Sequence, residues 1–464
     1  MNDAAMKVRL AFYGDDFTGA SDNAAQYARH GLRTLLFFDN PDEQALARAA
    51  QTYDVIGVAG IARSLAPTAM ATELVPVLRS FQSLGVRFIQ YKCCSTFDSS
   101  ADVGSLGEAI RLMRAHWADC FVPIVAATPE FGRYTVFGHH YAKAGERVWR
   151  LDRHPVMSRH PVTPMRESEL ALILAQQGFT PARAVDLRMI DDYAGRAPAL
   201  AAAIADADSV VFDGYTQPQM HTIAACLWQT AQDRTVCALA AQGLAHALGG
   251  WWRDAGMIDA VMPVQALPPV DRLLVLSGSC SALSAAQIDW ALAHGFEGIP
   301  IDTMLLSAEL AAVEATIARD AVSQQAAGSL PTGLAALEAR MVAALRSGRS
   351  VVMYTAKGPD DARAALPPAE LASRIGTLYA HLARTAIVDC GLSRLVIAGG
   401  DSSSFTMRAL GAVALEVYAS HFAQNAHVCI VHADDPAIHG VQVLLKGGQV
   451  GADDVYGLML NGFA

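Results

Sequence analysis

The chain has 464 residues, 52% of them hydrophobic and 17% charged, with a formal net charge of −10. That length and composition describe a globular enzyme of two domains and exclude a disordered chain or one needing a disulfide or metal staple. The acidic balance argues against a nucleic-acid partner but leaves room for a small anionic substrate in a locally basic pocket. The 8 cysteines show no Cys-x-x-Cys or zinc-type spacing, and no metal-ligating cluster is legible. With no run of about 18 apolar residues and no secretory pattern, a cytoplasmic, reducing setting without a membrane partner is expected.

Short apolar runs alternate with Ala- and Leu-rich helical stretches along the chain. The first strands are expected at 8–13, 33–38, 54–59, 86–91, 121–126, 209–212 and 236–239. A second series falls at 273–276, 351–354, 394–398, 428–431 and 442–445. This alternation predicts the α/β class, each domain a mostly parallel sheet covered by helices. The periodicity breaks where Pro263, Pro268 and Pro269 cluster. The expected division is therefore a domain over 1–255, a linker over 256–270 and a domain over 271–464. Ligands favour domain interfaces, so an interdomain cleft is the expected site.

Behind the first strand runs Gly14-Asp15-Asp16-Phe17-Thr18-Gly19-Ala20-Ser21-Asp22, with helix expected after Ser21. Two adjacent acids at a strand-to-helix turn, where α/β sheets bind ligands, can bind sugar hydroxyls, accept a proton or help hold a metal. The same residue types also cap helices and form turns. Arg63, after the third strand, and Lys92, closing the fourth, stand where they can clamp a carboxylate, or are solvated loop cations. Ser95, Thr96, Asp98 and Ser99 add hydroxyls and an acid behind Lys92. The block His154-Pro155 to Met165 is too rich in Pro and His to be regular. Its Arg-His pairs, among them Arg159-His160, can bind an anion or merely stiffen a crossover, and Thr163 is expected to cap a helix opening at Pro164.

Three loops of the C-terminal half share one logic: Ser277-Gly278-Ser279-Cys280-Ser281, Gly399-Gly400-Asp401-Ser402 with a helix expected near Phe405, and Lys446-Gly447-Gly448-Gln449. Glycines admit a ligand close to the backbone, free N–H groups at a helix start attract phosphate, and Lys446 supplies a point charge. Strand-to-helix turns use Gly and Ser for steric reasons too, but three such loops in one domain favour nucleotide phosphates. Neither a Walker-type loop nor a dinucleotide fingerprint is present.

In order and content these motifs resemble the four-carbon acid sugar kinase family. The resemblance runs nearly end to end, through Gly14–Ala20, Tyr91–Ser99, the His-Pro block at 154–165, Ser277–Ser281, Gly399–Ser402 and Lys446–Gly451. It implies an N-terminal acid-sugar domain, a C-terminal ATP domain, and phosphorylation of a terminal hydroxyl on threonate, erythronate or 3-oxo-tetronate. Asp15 and Asp16 then become the catalytic carboxylates, and Arg63, Lys92, Ser95, Thr96, Asp98, Ser99, Arg159 and His160 the substrate side. Ser277, Ser279, Gly399, Gly400, Asp401, Ser402, Lys446, Gly447 and Gly448 fall on the ATP side, with Mg2+ carried by ATP and Asp401 beside it. The partners implied are the acid sugar and ATP, and a homodimer is compatible. Thr128–Tyr134 departs from the loop expected of threonate kinases, which admits a branched five-carbon substrate such as 3-oxo-isoapionate. A non-catalytic sugar-acid binder is the alternative of a different class.

Overall fold

The computed structural model describes residues 7–258, 266–303, 332–361, 369–420, 426–448 and 450–463. Chain contacts divide it into two units, Met1–Met262 and Pro263–Ala464.

Unit 1 contains β1 (Leu10–Gly14), β2 (Thr34–Phe37), β3 (Val55–Ala59), β4 (Phe88–Lys92) and β5 (Val122–Val125). It continues with β6 (Arg133–Val136), β7 (His139–Ala144), β8 (Arg147–Arg150), β9 (Arg183–Val185), β10 (Ser209–Phe212) and β11 (Val236–Ala240). Eight of these form a sheet in the order β2-β3-β1-β4-β11-β5-β10-β9, and every pairing in it is parallel. Leu10, Ala11 and Phe12 of β1 are fully buried, as a strand covered by helices on both faces requires. Each such Leu or Phe contributes about 1.5–3 kcal/mol of burial. From β1 the chain first builds β2 and β3 on one side, then crosses to β4 on the other. The C-terminal end of β1 is therefore the point where strand order reverses, the usual place for a ligand crevice.

Unit 2 contains β12 (Leu274–Ser277), β13 (Glu297–Pro300), β14 (Val351–Tyr354), β15 (Arg394–Ala398), β16 (Ala412–Ser420), β17 (His427–Ala433) and β18 (Gln442–Lys446). Their order is β13-β14-β12-β15-β18-β17-β16, with the first five parallel and the last two added antiparallel. Its core gathers Leu273, Val275, Ile288, Val352, Val396, Val428, Leu444 and Tyr456. Here the order reverses between β12 and β15.

The α/β reading holds, and the strands expected from apolar runs are present within a residue or two of their ends. Three helix starts differ. The first helix opens at Phe17, because the Asp16 carboxylate caps it by accepting from the Gly19 N–H at 3.1 Å. The helix after β15 opens at Gly400, since Gly399, with φ of 121°, makes the turn itself. No helix opens at Pro164: the Thr163 hydroxyl and N–H both bond to Nδ1 of His160, at 2.9 and 3.1 Å, and the next helix starts at Leu170.

Beyond the expected strands, residues 133–150 form an antiparallel sheet, β6-β7-β8. Its first hairpin turns at Phe137 and Gly138, both with positive φ, the two-residue geometry that matches strand twist. The buried Asp213 carboxylate accepts from both turn N–H groups, at 2.6 and 2.8 Å.

Candidate active site

In unit 1, β3, β1 and β4 lie side by side, so the residues just beyond them converge. Gly60 N–H donates to the Gly14 carbonyl (2.9 Å), Arg63 N–H to the Asp15 carbonyl (3.0 Å) and Asp15 N–H to the Lys92 carbonyl (3.1 Å). Glycine is required at 14: a Cβ there would lie 2.4 Å from Cβ of Ala20 in the following helix. The Arg63 guanidinium grips both acids, with Nη2 at 2.6 Å from Asp15 Oδ1 and 2.7 Å from Asp16 Oδ1, and Nε at 3.2 Å from Asp15 Oδ2. Asp15 is 1% exposed. Burial pushes its carboxyl up against the opposing pull of Arg63.

Lys92 is buried, and its Nζ lies 2.7 Å from where a Cβ on Gly19 would sit. Among the described residues it forms no ion pair, although it pulls on Asp22. Behind it Thr96 Oγ1 donates to Asp98 Oδ1 at 2.7 Å, and Phe97 is held at φ of 59°, an uncommon conformation for a bulky side chain. The hydroxyl of Ser99 serves the loop, bonded to the Phe97 carbonyl (2.9 Å) and Gln177 Nε2 (2.8 Å). The carbonyl of Ser95 takes His140 Nε2 at 2.8 Å. Within the His-Pro block, Arg159 is exposed and His160 is occupied by Thr163.

Sequence reasoning passed over Asp22. Burial raises its carboxyl to about 6 against the pull of Lys92, so a proton acceptor tuned near neutrality stands on the first helix. Its place in the opening motif was the available signal. A cavity of about 870 Å³ lies elsewhere in unit 1, lined by His30, His221, His246, Trp251 and Arg253. It contains none of the candidate residues, and chemistry rather than volume marks the site beyond β1.

In unit 2 three loops meet at the ends of β12, β15 and β18. Gly278 N–H donates to the Ala398 carbonyl (2.8 Å) and Gly399 N–H to the Lys446 carbonyl (2.9 Å). A Cβ on Gly278 would fall 2.0 Å from Ser402 Oγ, and one on Gly448 2.8 Å from Ser279 Oγ. Ser281 caps the helix Ala282–Ala293, and the helix Gly400–Ala409 opens at the same edge. Two helix N-termini at one glycine-lined edge suit phosphate. The Ser277 hydroxyl is fully buried and unpartnered. Lys446 is 2% exposed, its Nζ 3.4 Å from Ser284 Oγ; burial lowers its ammonium to about 8. The Asp401 side chain, and Gln449, lie outside what is described. Among the described residues no cluster of three or more His, Cys, Asp or Glu could hold a metal ion. No helix among them is long and apolar enough to cross a membrane.

Comparison with known proteins matches one family model within each unit. A sugar-binding N-terminal domain model matches residues 10–248, and a nucleotide-binding C-terminal domain model matches 274–456. The chain is 35% identical to a 3-oxo-isoapionate kinase of Paraburkholderia graminis, over 98% of this chain and 94% of that one. It is 27% identical to a 3-oxo-tetronate kinase of Cupriavidus necator, over 96% and 95%. A solved Haemophilus influenzae structure shares the fold, with a TM-score of 0.72 at 22% identity over 96% and 98% of the chains. With both domain models matched in order and relatives aligned along nearly the whole length, the chain belongs to the four-carbon acid sugar kinase family.

Proposed function

We propose that this sugar-acid kinase transfers the γ-phosphoryl group of ATP to a terminal hydroxyl of a four-carbon acid sugar of the 3-oxo-tetronate, threonate or erythronate type. The observation that carries the reading is the pair of sites, each at a strand-order reversal. One holds two aspartates on an arginine, the other a glycine- and serine-lined edge with a buried lysine. A phosphoryl transferase needs an acceptor site with a base and a donor site that neutralises phosphate.

In this account Asp15 or Asp16 orients the substrate hydroxyl and accepts its proton, while Arg63 holds the two carboxylates in place. Lys92, a buried cation without an ion-pair partner among the described residues, faces the substrate's negative charge. Ser277, Ser279, Gly399, Gly400, Ser402, Gly447 and Gly448 surround the nucleotide phosphates, and Lys446 balances them. Mg2+ would be held by the phosphates with Asp401 and would neutralise charge developing between them. Phosphoryl transfer requires the two ligands to meet with water excluded.

A second reading is favoured by one observation. Identity to the 3-oxo-isoapionate kinase is 35%, against 27% to the Cupriavidus 3-oxo-tetronate kinase, so a branched five-carbon oxo-acid belongs in the same test. A coupled ADP-release screen across threonate, erythronate, their 3-oxo forms and 3-oxo-isoapionate decides between them by kcat/KM. ATP titration heat with no ADP release on any acid would remove the kinase reading.

A further inference from the structure

Arg133 opens β6 and is held rigidly. Its backbone N–H and carbonyl pair with Thr128, at 3.1 and 2.9 Å. The sheet that carries it is anchored at one place by Asp213. At another, the buried His140 takes Thr135 Oγ1 at 3.0 Å and the Ser95 carbonyl at 2.8 Å. The second anchor ties this sheet directly to the loop behind Lys92.

The Arg133 guanidinium is only partly satisfied. Nη1 donates to the carbonyls of Phe131 (3.0 Å), Gly132 (3.4 Å) and Lys143 (3.2 Å), but Nε is shielded from solvent and has no partner. Among the described residues no carboxylate pairs with it. Asp98 lies within electrostatic reach, yet its Oδ1 accepts from Thr96 instead. His154 presents a second stranded donor in the same neighbourhood. It is 5% exposed, and its Nδ1 accepts from the N–H groups of Val156 and Met157, at 3.2 and 3.1 Å. The proton therefore sits on Nε2, which is also buried without a hydrogen bond of ordinary geometry, though the Lys143 carbonyl lies near the ring.

A buried N–H donor without a well-formed hydrogen bond costs free energy unless a ligand supplies an acceptor. An arginine also matches the planar carboxylate geometrically, as lysine does not. Arg63 already pairs with Asp15 and Asp16 through Nε and Nη2, so its charge is offset by two carboxylates, whereas that of Arg133 is paired with none among the described residues.

We propose that Arg133, assisted by Nε2–H of His154, binds the carboxylate of the acid sugar. This rests on the acid-sugar reading of unit 1. It makes the β6–β8 sheet, alongside Lys92, an element that selects an acid over a neutral sugar.

The test is calorimetric titration of the full-length wild type, Arg133→Met and Arg133→Lys with the best acid of the screen and with its carboxamide, alongside ATP. The wild type should prefer the acid. Arg133→Met should weaken acid binding about 10- to 100-fold, leave ATP affinity unchanged and lose most of the preference for acid over amide; Arg133→Lys should recover part of it. Unchanged acid affinity in Arg133→Met, or equal losses for acid and amide, would overturn the proposal. Acid binding with no ADP release would overturn the kinase reading alone, and no heat with any acid would overturn both.

Discussion

Replacing Lys446 by Met should make the protein more stable and a worse nucleotide binder at once. Met fills nearly the same volume without a charge, and Lys446 is 2% exposed with no carboxylate partner among the described residues. The folded state holds its ammonium at about 8 instead of 10.5. That difference corresponds to about 3 kcal/mol against the charged lysine. The sign follows from proton counting. Between these values the unfolded chain binds the proton and the folded chain does not, so wild-type stability rises as pH climbs from about 8 to 10.5. Lys446→Met should therefore gain about 3 kcal/mol at pH 7 and show a flatter profile above pH 8. Urea unfolding followed by circular dichroism across that range measures the gain, and calorimetry with ATP measures the cost. Nucleotide affinity should fall by 10-fold or more, as expected for loss of a charge-assisted contact of about 1.5–3 kcal/mol. A destabilised Lys446→Met, or one with wild-type ATP affinity, would refute the reasoning.

Other expectations concern unit 1. Asp15→Asn and Asp16→Asn should differ in turnover, the variant that removes the base losing about 100-fold or more; steady-state ADP release identifies which, and near-normal turnover in both sinks the assignment. The Asp22 carboxyl at about 6 ionises later than its unfolded counterpart. Stability therefore falls as pH rises from about 4 to 6, and Asp22→Asn should gain up to about 3 kcal/mol over that window, less for solvent screening of a half-buried group. An equal gain at pH 4 and pH 7 would contradict this. His30, buried and bonded to His246 at 2.9 Å, is lowered to about 3. It should contribute a loss of about 2 kcal/mol between pH 7 and pH 5, which denaturant titration of His30→Gln should abolish. Gly14→Ala forces a Cβ to within 2.4 Å of Ala20, and a clear drop in melting temperature should follow; an unchanged melting temperature would contradict that close packing.

Much of this architecture is legible in the sequence because parallel strands buried on both faces appear as unbroken apolar runs, such as Leu10–Gly14 and Arg394–Ala398. The β6–β8 sheet is not legible in the same way. Its residues are mostly half-exposed and polar, and its register depends on anchors as distant as Asp213 and Ser95. Strand β9 has only three residues, β13 contains Gly and Pro and is mostly half-exposed, and β16 mixes Ala with half-exposed residues. The site divides similarly. Residue types at strand ends point to Asp15, Lys92 and Lys446, but sequence does not reveal that Arg63 is spent on two aspartates. It also does not reveal that His154, rather than His160, retains a stranded donor. Those distinctions depend on which hydrogen bonds the fold completes.

The central claim is phosphoryl transfer to an acid sugar, and the product tests it most directly. Wild-type protein incubated with ATP, magnesium and either 3-oxo-tetronate or 3-oxo-isoapionate, analysed by mass spectrometry, should yield a phosphorylated acid in a one-to-one ratio with ADP. ADP accumulating with no phosphorylated acid would mean that water is the acceptor, and would contradict the account.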